Sequence, residues 1–313
     1  MTKGLQLLVP LAVTPAMITS YDVPEPATGD SPDPAAYSSG TTYALAARVH
    51  VASVHKIYES VQAGNVGHDP TTDTTNTWWV EVGATNRWRM FDQKNTSQTT
   101  NVGGIDVSIT HGSIVNAISL LNVTLVSDVT VTVTDPSEGV VYSNNVTMQE
   151  PPTVGDYYEY FFDPIVTIDT FYLTDLPTYR NATIRVQANT TAPSNVAGIG
   201  VLVLGQSKEI GIGIKMGATV GIQDYSRKER NAYGDMTIVE RAYAKRADFE
   251  MWVPRHQVDM VVKLLASVRA TPVVWIGNDY YRSTQVFGFY KDWETTIEYH
   301  DYSVLTISLE GLT

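Results

Sequence analysis

Residues 105–206 are a succession of short segments with strand character: IDVSIT, AISLLNVTL, VTVTVTD, EGVVYSN, DYYEYFF, VTIDTFYL, ATIRVQAN and GIGVLVLG. Turns such as DPSEG and TAPSNVAG separate them. Strands at this spacing, with no stretch of helical periodicity between them, are expected of a β-sandwich or jelly roll. Within ATIRVQAN the period of two puts Ile184 and Val186 on one face and Thr183, Arg185 and Gln187 on the other. Valine, threonine and tyrosine are abundant throughout and lysine is scarce, a composition suited to pleated, half-buried surfaces. The fold class expected is therefore mainly β.

Before this run, SYDVPEPATGDSPDPAAYSSGTT packs four prolines with glycine, serine and aspartate and reads as an extended loop over residues 20–42. RVHVASVHKIYES and WWVEV then read as strands of a small β module that ends near residue 104. The opening MTKGLQLLVPLAVTPAM has the outline of a secretory signal, but Gln6 and Pro10 interrupt its apolar run, which is too short to span a bilayer. It reads as an entering strand or docking arm. After residue 206, the run between Pro254 and Pro272 places Val258, Val261, Leu265 and Val268 at helical spacing, with Pro254 suited to the first helical position. VVWI, RSTQVFGFY, ETTIEY and VLTISLEGL complete an antiparallel set in which Leu305, Ile307 and Leu309 share a face. Three units are expected: residues 1–104 with arm, loop and module; residues 105–206 as the sandwich; and residues 207–313 as a sheet with one helix.

The formal charge of −12 is uneven: residues 207–313 hold 13 Lys+Arg against 14 Asp+Glu, and residues 1–206 hold 8 against 19. An acidic surface repels phosphate backbones, so nucleic acid is not expected as a specific ligand. There are no cysteines, which removes disulfides and thiolate metal sites and leaves stability to packing and assembly. Five Asn-x-Ser/Thr sequons, at Asn95, Asn122, Asn145, Asn181 and Asn189, read as by-products of an Asn- and Thr-rich β surface.

Chemistry is sparse. The histidines at 50, 55, 68, 111, 256 and 300 form no metal-binding spacing, and Gly211, Gly213 and Gly217 lack the helix that a dinucleotide loop needs. No G-x-S-x-G elbow occurs. Asp224, Asp235 and Glu240 lie in DYSRKERNAYGD, which reads as a charged, partly solvated surface or interface. No catalytic residue, metal, cofactor or enzymatic activity is expected. TTNTWWVEVGATNRWRMFD concentrates three tryptophans. In a WWVEV strand, Trp78, Val80 and Val82 point one way and Trp79 and Glu81 the other. We expect Trp78 to join the valines inward, leaving Trp79 exposed or covered by the proline-rich loop or a neighbouring subunit. Arg87 and Arg89 flank Trp88 and suit stacking or an interface ion pair. An exposed aromatic beside a carboxylate can bind a sugar ring, which makes Tyr58, Trp79, Glu81 and Trp88 the candidate glycan residues.

The stretch TTYALAARVHVASVHKIYESVQAGNVGHDPTTDTTNTWWVEVG resembles the small carbohydrate-binding modules of chitinases, at Tyr43, Tyr58, Gly64, Asn65, Pro70 and Trp78. The continuation GATNRWRMFD, with the strand-rich middle and the blocks DYSRKERNAYGD and VFGFYKDW, is similar to structural proteins of tailed bacteriophages. In that family a carbohydrate-module-like head precedes a jelly-roll segment and a tail-type docking domain. The resemblance implies a tail, baseplate or neck component of a virion, assembled in the bacterial cytoplasm. Its implied partners are further copies of itself and other tail proteins, with the near-neutral last third docking. The alternative it leaves open is recognition of a host-surface glycan.

Overall fold

The computed structural model describes residues 4–28, 32–150, 167–231, 233–278, 281–297 and 299–312. The protein is mainly β, built from antiparallel sheets. Strand β1 (Leu5–Pro10) and strand β2 (Ile18–Tyr21) precede the proline-rich loop. The small module follows as β3 (Arg48–Val51), β4 (Lys56–Ser60) and β5 (Trp79–Ala84), paired in the order β3-β4-β5.

The sandwich uses β6 (Thr99–Val102), β7 (Gly104–Thr110), β8 (Ala117–Thr124), β9 (Asp128–Asp135), β10 (Gly139–Thr147), β11 (Thr170–Leu173), β12 (Thr183–Asn189) and β13 (Val196–Ile210). One layer has the order β10-β9-β12-β7-β2, and the other is formed by β11, β8 and β13 with β6 alongside β13. Period-two alternation does the packing. Val107 and Ile109, Val129 and Val131, and Ile184 and Val186 meet Ile118, Leu120, Leu202 and Leu204 in one buried core. Ile184 and Val186 share the inward face, as their spacing requires. The strand expected in DYYEYFF lies outside the described residues.

The last third contributes β14 (Gly213–Ile214), β15 (Thr219–Asp224), β16 (Arg227–Arg230), β17 (Met236–Val239), β18 (Tyr243–Pro254), helix α1 (Val258–Ser267), β19 (Val273–Ile276), β20 (Gln285–Thr296) and β21 (Tyr302–Gly311). Val261, Leu265 and the following Val268 pack on Phe249, Trp275 and Leu305 to Leu309. Pro254 does not open the helix as expected. It ends β18, where it is still in register with Tyr302, and a 3-10 turn at Arg255–Gln257 leads into α1.

The expected boundary at residue 206 falls inside β13. The first part of that strand pairs with β8, and its last part pairs with β1, from Pro10 opposite Gly205 to Leu5 opposite Ile210. The other edge of β1 pairs with β19. The outer sandwich layer and the C-terminal sheet are therefore one eleven-stranded sheet, ordered β11-β8-β13-β1-β19-β20-β21-β18-β14, with β6 and β15 added. The opening residues are the strand they were expected to be, and their place is the middle of this sheet. Gly205 makes the closest approach here, since a Cβ on it would lie 1.8 Å from the Val9 carbonyl oxygen. One of the sheets curls into a half-barrel. The other face of the eleven-stranded sheet buries a separate cluster of Leu8, Leu121, Val201, Val203, Ile276 and Phe287. Among the described residues no helix is long and apolar enough to cross a membrane.

Candidate functional surfaces

The module is organised by the loop before β5. The Asp73 carboxylate accepts the backbone N–H groups of Thr77, Trp78 and Trp79 at 3.1, 2.6 and 2.9 Å. The Trp78 amide, with support from those of Trp79 and Thr77, holds its carboxyl down at about 2. This clamp sets how the tandem tryptophans enter the strand. Trp79 is the inward one, 1% exposed, with its Nε1–H donating to the His68 carbonyl at 2.8 Å. Tyr37 and Tyr43 meet its ring edge-on, with centroids at 6.0 and 5.1 Å. The expectation that Trp78 would share the core with Val80 and Val82 is thus reversed: Val82 is exposed, and Trp78 is half-buried with His68 stacked 3.8 Å from it. Strand alternation separates 78 from 79 correctly, but the covering side is chosen by Tyr37, in the proline-rich segment, and by Tyr43 just after it.

The motif residues around Trp79 are structural. Tyr43 and Asn65 exchange backbone hydrogen bonds, and the buried Asn65 amide donates to Ser60 Oγ and the Trp78 carbonyl. Gly64 takes a left-handed φ of 73° in the turn before it. Trp88 lies in a 3-10 turn, Asn86–Phe91, with its ring parallel to the His55 imidazole at 4.3 Å. His55 Nδ1 is 2.8 Å from one oxygen of Glu25, whose other oxygen accepts the Thr85 hydroxyl. Asp33 accepts the amides of Ala27 and Asn86. The proline-rich loop is tied to the module through these two carboxylates. Arg87 stacks on a phenol rather than an indole, its guanidinium 5.0 Å from the Tyr21 ring centre, and burial pushes the Tyr21 phenol far up.

Tyr58 and Glu81 are cross-strand partners on β4 and β5. Lys56 donates to Glu81 at 2.6 Å, and that bond raises the lysine. Burial pushes the Tyr58 phenol up, with the nearby Glu81 and Asp69 charges adding to it and Lys56 opposing. Of the four glycan candidates the fold brings Tyr58 and Glu81 together on a half-open face. Trp79 is sealed beneath the tyrosines, and Trp88 has one face taken by His55.

The second surface is an arm, residues 215–243, in which nearly every described side chain is exposed. Strand β15 pairs with β18, while β16 and β17 pair with each other in a two-stranded ribbon. Val220, Ile222 (65% exposed), Met236, Ile238 (61%) and Val239 lie open along it, and Tyr233 at the turn is 93% exposed. The arm is steadied by Lys228 on Asp224 at 2.6 Å and by the Tyr225 hydroxyl donating to Glu310 at 3.1 Å. Asp224 is held well below the usual carboxylate range by Lys228 and then by Ser226. Asp235 accepts from Asn231 in the turn. The charged reading of DYSRKERNAYGD is accurate, yet it passes over the apolar side chains. The signal was the period-two spacing of Val220 with Ile222 and of Met236 with Ile238. Among the described residues no group of three or more His, Asp or Glu is placed to hold a metal.

No protein-family model matches the chain, and no curated protein is significantly similar to it. A solved structure that overlaps part of it is a selenomethionine-labelled point mutant of chitosan-binding module 1, derived from a chitosanase/glucanase from Paenibacillus sp. IK-5. The likeness covers 38% of this chain and 82% of that one at 17% sequence identity, with a TM-score of 0.25. An overlap of that size assigns neither a fold nor a ligand to this chain.

Proposed function

We propose that this protein is a structural subunit that assembles with further copies of itself through the arm of residues 215–243, as a tail or baseplate component of a bacteriophage virion. The exposed apolar side chains of the arm are the observation that carries the assembly. A lone two-stranded ribbon is marginal in water, and an open apolar strand edge is a template for pairing with another chain. Covering Val220, Ile222, Met236, Ile238 and Tyr233 against a neighbour meets both needs. The charge distribution supports the same reading, because the near-neutral last third can be brought together at less electrostatic cost than the acidic first two thirds. The virion context rests on the sequence resemblance of the DYSRKERNAYGD and VFGFYKDW blocks.

Light scattering on the full chain, beside an Ile222→Lys, Ile238→Lys variant, tests the assembly. The expected result is a closed oligomer for the wild type and a monomer with an unchanged melting temperature for the variant. A wild type that stays monomeric at every concentration, or a variant that keeps the oligomer, refutes the role of the arm. A second reading, recognition of a polysaccharide by the module, is favoured by the pairing of a half-open Tyr58 with Glu81. Many copies in one assembly would supply avidity to a weak single site. Tyr58→Ala should lose retention on the immobilised polysaccharide, and unchanged retention would remove this reading.

A further inference from the structure

Among the described residues β15 pairs with β18 alone, which makes it an edge of the eleven-stranded sheet. The pairing runs in unbroken register from Thr219 opposite Asp248 to Asp224 opposite Tyr243. A row of backbone N–H and C=O groups along its other side is therefore left for another chain. Natural proteins blunt such edges with proline, lysine, a bulge or a covering element. The sequence of β15, TVGIQD, has no proline or lysine, its register has no break, and all six residues are exposed. The next strand of the arm shows the contrast, since RKER in β16 carries a charge at every position.

What the edge can take is written in its own sequence. Val220 stands opposite Ala247, which belongs to the core of Phe249, Trp275 and Leu305 to Leu309. One apolar face thus runs out to β15 and stops there, with Val220 46% and Ile222 65% exposed. Two antiparallel copies of one strand, related by a two-fold axis perpendicular to the sheet, must have that axis at a residue, because any other register pairs side chains from opposite faces. With the axis at Gly221, Val220 meets Ile222 of the second copy, Thr219 meets its Gln223, and Asp224 stays outside the pairing with its own Lys228. An axis at Ile222 would set Val220 against Asp224, and one at Val220 would put Ile222 opposite Ala218, beyond the strand. We propose that β15 pairs antiparallel with β15 of a second copy about a two-fold axis at Gly221, joining two sheets edge to edge. This rests on the arm as the assembly surface and names the contact within it.

The chain has no cysteine, so a single introduced thiol can form a disulfide only with another copy. A Cβ at Gly221 meets nothing within 4 Å, and its φ lies outside the left-handed region, so Gly221→Cys fits the folded chain. Directly opposed residues of an antiparallel pair have Cα atoms about 4.5–5.5 Å apart, within disulfide reach. Position 219 and its counterpart in the second copy are about 13 Å apart along the strands, which is out of reach. Oxidation of the full-length variants with copper phenanthroline, read on a non-reducing gel, should cross-link Gly221→Cys at least about tenfold faster than Thr219→Cys or Gln223→Cys alone. A mixture of Thr219→Cys and Gln223→Cys should cross-link where neither does by itself, and it carries the test should Gly221→Cys misfold. A wild-type oligomer in light scattering, with no cross-link from Gly221→Cys or the mixture, overturns this contact and leaves the arm reading standing. Faster cross-linking of Thr219→Cys alone, or of Thr237→Cys on β17, overturns it by moving the contact to another register or strand. A wild type that stays monomeric at every concentration removes the arm reading and this contact together.

Discussion

Replacing Trp79 by alanine separates a structural tryptophan from a sugar-binding one. The indole is 1% exposed, and a buried aromatic of this kind removes roughly 200 Å² from water, or about 5 kcal/mol at about 25 cal/mol per Å². Substitutions of this type measure about 3–5 kcal/mol because the cavity collapses only in part. Loss of the Nε1–H bond leaves the His68 carbonyl without that donor, adding about 1 kcal/mol. A cost of about 4–6 kcal/mol falls on a sheet of three strands with four, five and six residues. Such a sheet has little stability of its own, so the module should open while the sandwich persists. Hydrogen exchange read by mass spectrometry should show residues 43–84 losing protection and residues 105–135 keeping it. Trp79→Phe should restore most of the protection. A Trp79→Ala protein with wild-type exchange that has lost only polysaccharide retention would refute the reasoning, since it would make Trp79 an accessible binding residue.

Asp73→Ala should cost about 1–2 kcal/mol near neutral pH, because three backbone N–H groups lose their acceptor. The carboxyl of Asp73 is depressed in the folded protein, so its contribution is complete above its ordinary value of 3.8 and is lost as pH falls towards about 2. Melting curves of wild type and variant should therefore converge over that interval, and a constant gap from pH 7 to pH 2 would refute the clamp. Gly205→Ala forces a methyl to within 1.8 Å of the Val9 carbonyl oxygen and should cost about 2–3 kcal/mol as β1 is pushed off β13. An unchanged thermal midpoint would mean that β1 does not occupy this position.

Much of the architecture was legible because burial alternates along its strands. Val107 and Ile109, Ile184 and Val186, and Leu305 to Leu309 announce their inward faces by spacing alone, and α1 does so by Val261, Leu265 and Val268. Partner choice was not legible. The LQLLV of β1 reads as a strand, but nothing local in it names β13 and β19 as neighbours, so the boundary at 206 was drawn through a strand serving two cores. The tandem tryptophans show the other limit. Period two divides Trp78 from Trp79 without saying which side will be covered, and the cover arrives from Tyr37, more than forty residues upstream. In the arm, charged residues between the apolar ones hid a strand pattern whose apolar side chains are left exposed.

The central place of β1 also decides when the chain can finish folding. Gly4 bonds to Glu209, 205 residues away, and the other edge of β1 waits for Val274 to Ile276. During synthesis at about 5–20 residues per second, β1 therefore stays unmatched on the order of tens of seconds. The sandwich can form its inner layer in that interval, whereas the eleven-stranded sheet cannot close. The last third is thus the clasp on the first ten residues. A chain released before residue 276 carries an open seam through its middle, because one edge of β1 then has no partner strand.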